Sequence, residues 1–178
     1  MKRLYAPWRS AYVTKSAHRA RQKKQDPAEP IADDCVFCRQ VAANDDVKYY
    51  ILKRYQHCFI MMNFYPYNAG HLMILPYEHK AFLHDLLPEV RREIMEALNI
   101  ALVTSKTILY NEGFNVGINL GLAGGGGIPG HLHVHTVPRW RGDTAFLEVL
   151  GETKLISSDL DKVFQDLKKA FDQLPDAC

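Results

Sequence analysis

The chain has 178 residues, of which 47% are hydrophobic and 24% are charged, and its formal net charge at pH 7 is +2. This length suits one domain with a sizeable core, and the small net charge gives no argument for nucleic-acid or membrane binding. Since no apolar run approaches the roughly 20 residues that span a bilayer and the start lacks an apolar signal stretch, we expect a cytoplasmic protein.

The first 34 residues are predicted to form an N-terminal segment and linker, which leaves residues 35–178 as the main domain. Residues 14–34 are polar and charged and contain two prolines, so we do not expect them to pack a core. Their basic residues can contact an anionic partner, but a solvated linker is the favoured interpretation. These basic residues are Arg19, Arg21, Lys23 and Lys24.

Three strands are predicted at the start of the main domain, at residues 47–53, 57–62 and 70–75. Each run is rich in apolar side chains, and turn-forming residues occupy much of 63–70 between the last two runs. This spacing predicts an antiparallel meander.

A long helix is predicted over residues 88–111, because a proline suits its first turn and apolar residues then recur at helical spacing. Gly113 is expected to stop this helix. A further strand follows at 114–120, and the pattern Ser158-x-x-Asp161 predicts the capped start of a C-terminal helix. The order of strands, helix, strands and helix favours an α+β fold with an antiparallel sheet over a parallel βαβ array.

Three histidines, His131, His133 and His135, occupy every second position of the sequence GHLHVHTV. In a strand this spacing places all three imidazoles on one face, while Leu132 and Val134 take the other face and pack on a helix. Histidine is the usual residue for proton transfer, nucleophilic attack and metal binding near neutral pH. We therefore expect chemistry on this face rather than ordinary packing.

A glycine-rich loop, GLAGGGGIPG at residues 121–130, comes immediately before the histidines and holds six of the eleven glycines. It matches neither a Walker loop nor a dinucleotide fingerprint, because no Gly-Lys-Ser/Thr follows and it leads into a strand rather than a helix. Successive glycine amides can bind an anion. The loop and the imidazoles together predict attack of a histidine on phosphorus, with a phospho-histidine intermediate and a second imidazole that donates a proton to the leaving group.

The pair Cys35-x-x-Cys38 indicates metal or redox chemistry before a disulfide, because the chain lacks a secretory signal. A closed tetrahedral zinc site needs two more ligands, and the spacing does not choose among the histidines. A redox pair and a catalytic zinc bound by the histidine strand stay open as alternatives. The candidate ligands are His18, His57, His71, His79, His84 and the three histidines of the strand.

Several segments together resemble the histidine-triad (HIT) family, in the branch that contains diadenosine tetraphosphate phosphorylases and hydrolases. The similar segments are GHLHVHTV, CFIMMNFYPYNAGHLMILPYEH, FNVGINLGLAGGGGIPGHLHVHTVPRWRGDTAF, the opening LYAPWRSAYV and the cysteine pair. The resemblance implies an α+β fold with a five-stranded antiparallel sheet, a long central helix and a C-terminal helix. It also implies a homodimer in which the sheet extends across the two-fold axis.

The resemblance implies a role for each residue of the triad. His133 is the expected nucleophile on the α-phosphate of a nucleotide, and His135 is expected to bind the phosphate or the leaving oxygen. His131 is expected to join Cys35, Cys38 and His79 as ligands of a structural zinc ion.

The resemblance also implies residues that hold the substrate. Asn63 matches a ribose-binding position, and His71 matches a histidine that supports the active site. Asn119, Gly126 and Gly127 match the phosphate-binding loop, but several relatives have serine or glutamine where Gly127 stands.

The expected function is cleavage of dinucleoside polyphosphates through a nucleotidyl-His133 intermediate, with water or inorganic phosphate as the acceptor. A nucleoside phosphoramidase is the nearest alternative, since it would use the same His133 on a P–N bond. A nucleotide-binding protein without turnover and a zinc-dependent nucleic-acid contact through the basic linker are the alternatives from other classes.

Overall fold

In the computed structural model, the residues described are 35–144, 146–153, 155–156 and 158–176. The N-terminal segment and linker predicted for 1–34 lie outside the described residues, so the domain boundary stays a prediction. Within the described part of the chain, no helix has both the length and the apolar character needed to cross a membrane.

Five strands form one antiparallel sheet with the spatial order β1-β2-β3-β5-β4. The first three strands form the predicted meander, and the last strand in sequence lies between β3 and β4. The strands are β1 Ile51–Arg54, β2 Cys58–Met62, β3 Leu72–Pro76, β4 Gly113–Ile118 and β5 Val134–Arg139.

Among the described residues, four helices accompany the sheet, together with short 3₁₀ turns at Leu83–Asp85 and Leu122–Gly124. The long helix and the C-terminal helix were predicted, and with the sheet they confirm the α+β fold class. The two short helices were not predicted. The helices are α1 Val36–Ala42, α2 Pro88–Leu109, α3 Phe146–Leu150 and α4 Leu160–Phe171.

The sheet is covered on both faces, and this determines where the histidines point. On one face, Ile60, Ile74 and Val134 pack with apolar residues of α2 and α4. On the other face, Phe59 and Met73 pack with Phe37 of α1. Because both faces are buried, β2 and β3 have continuous apolar sequences in place of an alternating pattern.

Two predicted boundaries are wrong, namely the start of the first strand and the end of the long helix. Residues 47–50 form turns, and Tyr50 has a φ of 53°, so the first strand begins only at Ile51. The long helix ends at Leu109, because Tyr110 adopts the left-handed conformation with a φ of 52°. Gly113 therefore does not stop the helix but begins β4.

The cap of the C-terminal helix also differs from the prediction by one residue. The Asp159 side chain accepts a hydrogen bond from the backbone N–H of Lys162, so Asp159 is the N-cap in place of Ser158. An aspartate in this position satisfies a free amide of the first turn and complements the helix dipole.

Candidate active site and metal centre

The three triad histidines are all buried, but only His135 lies within a strand. His131 and His133 precede β5, which begins at Val134, so the expectation of three imidazoles on one regular strand is wrong in detail. The backbone N–H of Leu132 bonds to the carbonyl of Lys80 and takes no part in the sheet ladder. The alternation nevertheless persists, because Leu132 and Val134 pack in the core beside α2.

Three side chains converge on the first triad histidine, His131. The Nδ1 atom of His131 lies 3.4 Å from Sγ of Cys35 and 3.5 Å from Sγ of Cys38. The Nδ1 atom of His79 lies 3.5 Å from Sγ of Cys38, and one ligand atom from each of the four residues lies within 4.8 Å of the others. Tetrahedral zinc with ordinary Zn–S and Zn–N bonds separates sulfur from nitrogen by about 3.6 Å. The arrangement thus has the spacing of a closed zinc site.

Local structure explains how the two cysteines come together. Cys35 is the N-cap residue of α1 and Cys38 lies in its first turn, so the two-residue spacing brings both thiols to one side. Burial, followed by the neighbouring thiol of Cys35, raises the pKa of the Cys38 thiol to about 11. Since a cysteine ligates a metal as thiolate, binding of a cation here requires release of a proton.

The ring of His131 is oriented for ligation by a backbone carbonyl. Its Nε2 lies 2.9 Å from the carbonyl oxygen of Pro76, which can only accept a hydrogen bond, so Nε2 carries the proton. The Nδ1 atom that faces the two thiols is therefore unprotonated in the neutral ring. Burial lowers the pKa of His131 to about 4 and favours this neutral form. The donor set fits a bound zinc ion.

His133 has its tautomer fixed in the same way. Its Nδ1 lies 2.7 Å from the carbonyl oxygen of His131 and must donate to it. The neutral ring then has a lone pair on Nε2, and burial lowers the pKa of His133. His133 therefore presents an unprotonated, nucleophilic nitrogen.

A chain of hydrogen bonds gives His135 the opposite tautomer. The backbone N–H of Tyr67 donates to Nδ1 of His71 over 3.2 Å, so the proton of the neutral His71 ring is on Nε2. This Nε2 lies 3.0 Å from Nδ1 of His135 and donates to it. The proton of His135 is then on Nε2, a buried atom with no partner among the described residues.

Burial keeps both rings of this chain neutral. Burial, followed by the nearby charges of the other imidazoles, lowers the pKa of His71 to about 3 and that of His135 to about 4. The ring centroids of His133 and His135 are 4.7 Å apart. A ring with an unprotonated nitrogen and a ring with an N–H donor are thus neighbours, which is the pair of groups that displacement at phosphorus needs.

The substrate-binding residues predicted by resemblance lie at the ends of β2 and β4 and in the glycine-rich loop. Asn119 follows the last residue of β4, where Ile118 pairs with Val134, and is thus next to His133 along the neighbouring chain. A Cβ added at Gly126 would lie 3.5 Å from Asn119, whereas one added at Gly127 would meet nothing within 4 Å. The left-handed positions of the loop are Gly121 and Gly125. Asn63 follows β2, and its Oδ1 accepts from the N–H of Tyr65.

Sequence reasoning missed two contributors to the site, Phe37 and Tyr67. The ring of Phe37 contacts both His131 and His133, and the backbone of Tyr67 fixes the tautomer of His71. Phe37 could have been singled out because it lies between the two cysteines. Tyr67 fixes this tautomer through its amide, which every non-proline residue has, so its residue type did not indicate that role. Its ring also stacks on the imidazole of His71.

Comparison with known proteins assigns the chain to a family. Residues 45–142 match the HIT domain. AP-4-A phosphorylase of Mycobacterium tuberculosis is 34% identical over 157 residues, which are 88% of this chain and 77% of that protein. The asymmetrical bis(5'-nucleosyl)-tetraphosphatase of Schizosaccharomyces pombe is 27% identical over 57% of this chain and 52% of its own length.

Solved structures agree with this assignment. The crystal structure of a Zn-bound histidine triad family protein from Mycobacterium smegmatis is 25% identical and has a TM-score of 0.63, with coverage of 80% of this chain and 96% of that chain. The chain belongs to the HIT domain family. The resemblance inferred from the sequence motifs is therefore confirmed.

Proposed function

We propose that this protein cleaves dinucleoside polyphosphates of the diadenosine tetraphosphate type at the α-phosphate, through a covalent nucleotidyl-His133 intermediate. The observation that carries the proposal is the pair of opposite tautomers on two neighbouring rings, with an unprotonated Nε2 on His133 and a protonated Nε2 on His135. The chain is a HIT-family enzyme, a nucleotide hydrolase or transferase, and its similarity to AP-4-A phosphorylase supports the substrate class.

The first step forms one bond and breaks one bond at the α-phosphorus. The lone pair on Nε2 of His133 forms the N–P bond, and the P–O bond to the outgoing polyphosphate breaks with its electrons on the leaving oxygen. The Nε2–H of His135 donates to the leaving oxygen or to a phosphate oxygen, where charge accumulates. His71 holds His135 in this tautomer.

The second step returns the lone pair to His133. An oxygen of water or of inorganic phosphate attacks the α-phosphorus, and the N–P bond breaks with its electron pair on Nε2 of His133. A proton lost by the attacking oxygen passes to solvent, or to Nε2 of His135 where that atom gave up its own proton in the first step. With diadenosine tetraphosphate, phosphate gives ADP and ATP, whereas water gives AMP and ATP. Asn119, Gly126 and Gly127 are proposed to hold phosphate oxygens, and Asn63 is proposed to hold the ribose hydroxyls.

A zinc ion is proposed to bind Cys35, Cys38, His79 and His131. Four protein ligands leave no open position, so the bound ion would have a structural role and would fix the segment that leads into the nucleophile. The donor spacing described above supports this assignment.

A homodimer with a continuous sheet is also proposed. Strand β4 lies at one edge of the sheet, and its Val116 is 46% exposed. An exposed apolar edge strand favours pairing with another strand, and a two-fold axis at this edge would extend the sheet. A cytoplasmic location stays a prediction from the sequence.

Product analysis tests the proposed reaction. Purified zinc-loaded protein is incubated with diadenosine tetraphosphate, with and without inorganic phosphate, and the nucleotides are separated. We expect ADP and ATP with phosphate for a phosphorylase, or AMP and ATP in water alone for a hydrolase. If neither tube shows cleavage while an adenosine phosphoramidate is hydrolysed, the substrate proposal is wrong and the phosphoramidase alternative replaces it.

A further inference from the structure

Asn68 and Asp143 connect the loop before His71 to the segment that follows β5. The side-chain Nδ2 of Asn68 lies 2.9 Å from Oδ2 of Asp143 and 3.0 Å from the carbonyl oxygen of Pro138. Both partners only accept, so the amide of Asn68 has one defined orientation. Asn68 is 9% exposed and the side chain of Asp143 is 8% exposed, so solvent does not readily replace this bond.

Asp143 is held in place from its other side. The guanidinium of Arg139 donates to both carboxylate oxygens, over 2.6 and 2.7 Å, in a bidentate pair. The backbone N–H of Trp140 donates to Oδ2 over 3.1 Å. A buried carboxylate with this many donors is a fixed acceptor for Asn68.

The backbone of Asn68 continues the connection toward the active site. Its carbonyl accepts the N–H of His71 over 3.2 Å, and the preceding residue, Tyr67, donates its N–H to Nδ1 of His71. Displacement of this loop would remove the donor that keeps Nδ1 of His71 unprotonated. His71 and His135 could then both reverse their tautomers, since a bond between two neutral imidazoles can run in either direction.

We infer that Asn68 and Asp143 are positioning residues that set the tautomer of His135 through the Tyr67 amide and His71. Reversal would place the proton of His135 on Nδ1 and leave its Nε2 without the hydrogen that faces the reacting phosphate. The catalytic consequence rests on the proposed function, but the tautomer itself does not. Loss of the Nε2–H donor of His135 should lower kcat and leave the binding of substrate little changed.

Nitrogen NMR of the imidazoles tests this inference in the zinc-loaded protein without substrate. In the parent, the spectrum should show a protonated Nε2 and an unprotonated Nδ1 on His135. In Asn68→Ala and in Asp143→Ser, the chemical shifts of the two ring nitrogens of His135 should move toward each other as the second tautomer becomes populated. The same variants should lose about tenfold or more in kcat, within the range for a proton donor, with KM changed by less than about threefold.

Arg141→Gln provides the matched control. It removes an exposed ion pair with Glu112 in the same segment, but leaves Asp143, its donors and the amide of Asn68 in place. The His135 nitrogens of this variant should match those of the parent. The positioning role is wrong if the His135 resonances of the control variant shift as far as those of Asn68→Ala. It is also wrong if Asn68→Ala and Asp143→Ser both keep the parent spectrum.

Failure of the two proposals can be told apart. A parent protein that does not cleave diadenosine tetraphosphate overturns the proposed substrate, while the spectra of the variants still decide the positioning role. Where Asp143→Ser does not fold, Asn68→Ala alone decides it, because that change leaves the bidentate pair of Asp143 and Arg139 in place.

Discussion

The ring of Phe37 lies against the imidazole of His133, with the two ring centroids 5.3 Å apart and their planes inclined by 55°. The same ring meets His131 edge-on, with centroids 5.6 Å apart. Phe37 is 6% exposed and lies between the two cysteines of the candidate metal centre. One buried side chain therefore contacts both the candidate nucleophile and a candidate metal ligand.

Phe37→Leu should lower turnover and leave the metal content unchanged. An aromatic pair contributes about 0.5–1.5 kcal/mol beyond its buried area, so the loss of ring contact with His133 should reduce kcat by roughly two- to tenfold. Val36→Ala in the same helix serves as the control. A Phe37→Leu protein with the parent kcat would show that this ring does not position His133.

Cys38→Ser should lower both zinc content and stability. A metal that binds only the folded chain adds RT ln(1 + [L]/Kd), which is about 4 kcal/mol at a thousandfold excess over Kd. The free energy of unfolding should fall by an amount of this order, and a chelator should have little further effect on the variant. Zinc analysis and urea unfolding measure the two quantities.

Cys58→Ala controls for the loss of a thiol elsewhere. Cys58 is fully buried in β2 and is outside the four-residue cluster, so this variant should keep its zinc and its response to the chelator. A thiol-dependent loss of activity in the parent without loss of metal would instead favour a redox role for Cys35 and Cys38.

His133→Ala should abolish turnover and leave the fold intact. The variant lacks the protein atom proposed to bond to phosphorus, and a loss of about 10⁴-fold or more is expected when a covalent nucleophile is removed. His84→Gln is the control, since the His84 side chain is 79% exposed. Comparable kcat values for His133→Ala and the parent, with matching circular dichroism, would show that another residue is the nucleophile.

The sequence predicted the fold class and the location of the histidines, because both depend on patterns that one segment contains. His131 and His133 lie in the site and Leu132 between them lies in the core, as the alternating pattern predicted. This holds even though the regular strand begins one residue after His133. The set of four metal ligands was implied by resemblance, since Cys35 and His131 are 96 residues apart and spacing alone left eight histidines open.

The tautomers of the site could not be predicted in the same way. They depend on the carbonyl of Pro76, the carbonyl of His131 and the amide of Tyr67. Backbone groups are common to nearly every residue, so their placement appears only when the chain is folded. Likewise, the first strand was predicted too early because Tyr50 adopts a positive φ that its residue type disfavours.

The buried His71 should make stability fall in mild acid. Burial, followed by the charges of His135 and His133, lowers the pKa of His71 from 6.5 to about 3. The contribution of neutral His71 to the free energy of unfolding is fully present above pH 6.5. Below that pH the unfolded chain takes up a proton that the folded chain does not, so stability falls by up to about 1.4 kcal/mol per pH unit.

His71→Asn should therefore reduce the slope of stability against pH between about pH 6 and pH 4.5. Urea unfolding of the parent and the variant, both zinc-loaded, measures the two slopes in the same buffers. The difference between them reports His71 together with its effect on the hydrogen-bonded His135 ring, since the other histidines and loss of metal act on both proteins. Equal slopes would show that His71 is already protonated in the folded chain over this range.

Gly70→Ala should destabilise the protein and disturb His71, the next residue. Gly70 has a φ of +68°, and an added Cβ would clash with Cδ1 of Leu109 at the end of α2. The left-handed backbone alone costs about 1–2 kcal/mol for alanine, and Leu109 must also move, so we expect the free energy of unfolding in urea to fall by about 1–3 kcal/mol.

Gly113→Ala is the control, because its Cβ would meet nothing within 4 Å and Gly113 has no positive φ. If both variants lose the same free energy of unfolding, the conformation of Gly70 is not what holds His71 in place. If only Gly70→Ala is destabilised and its kcat also falls, the turn before His71 supports both the fold and the site.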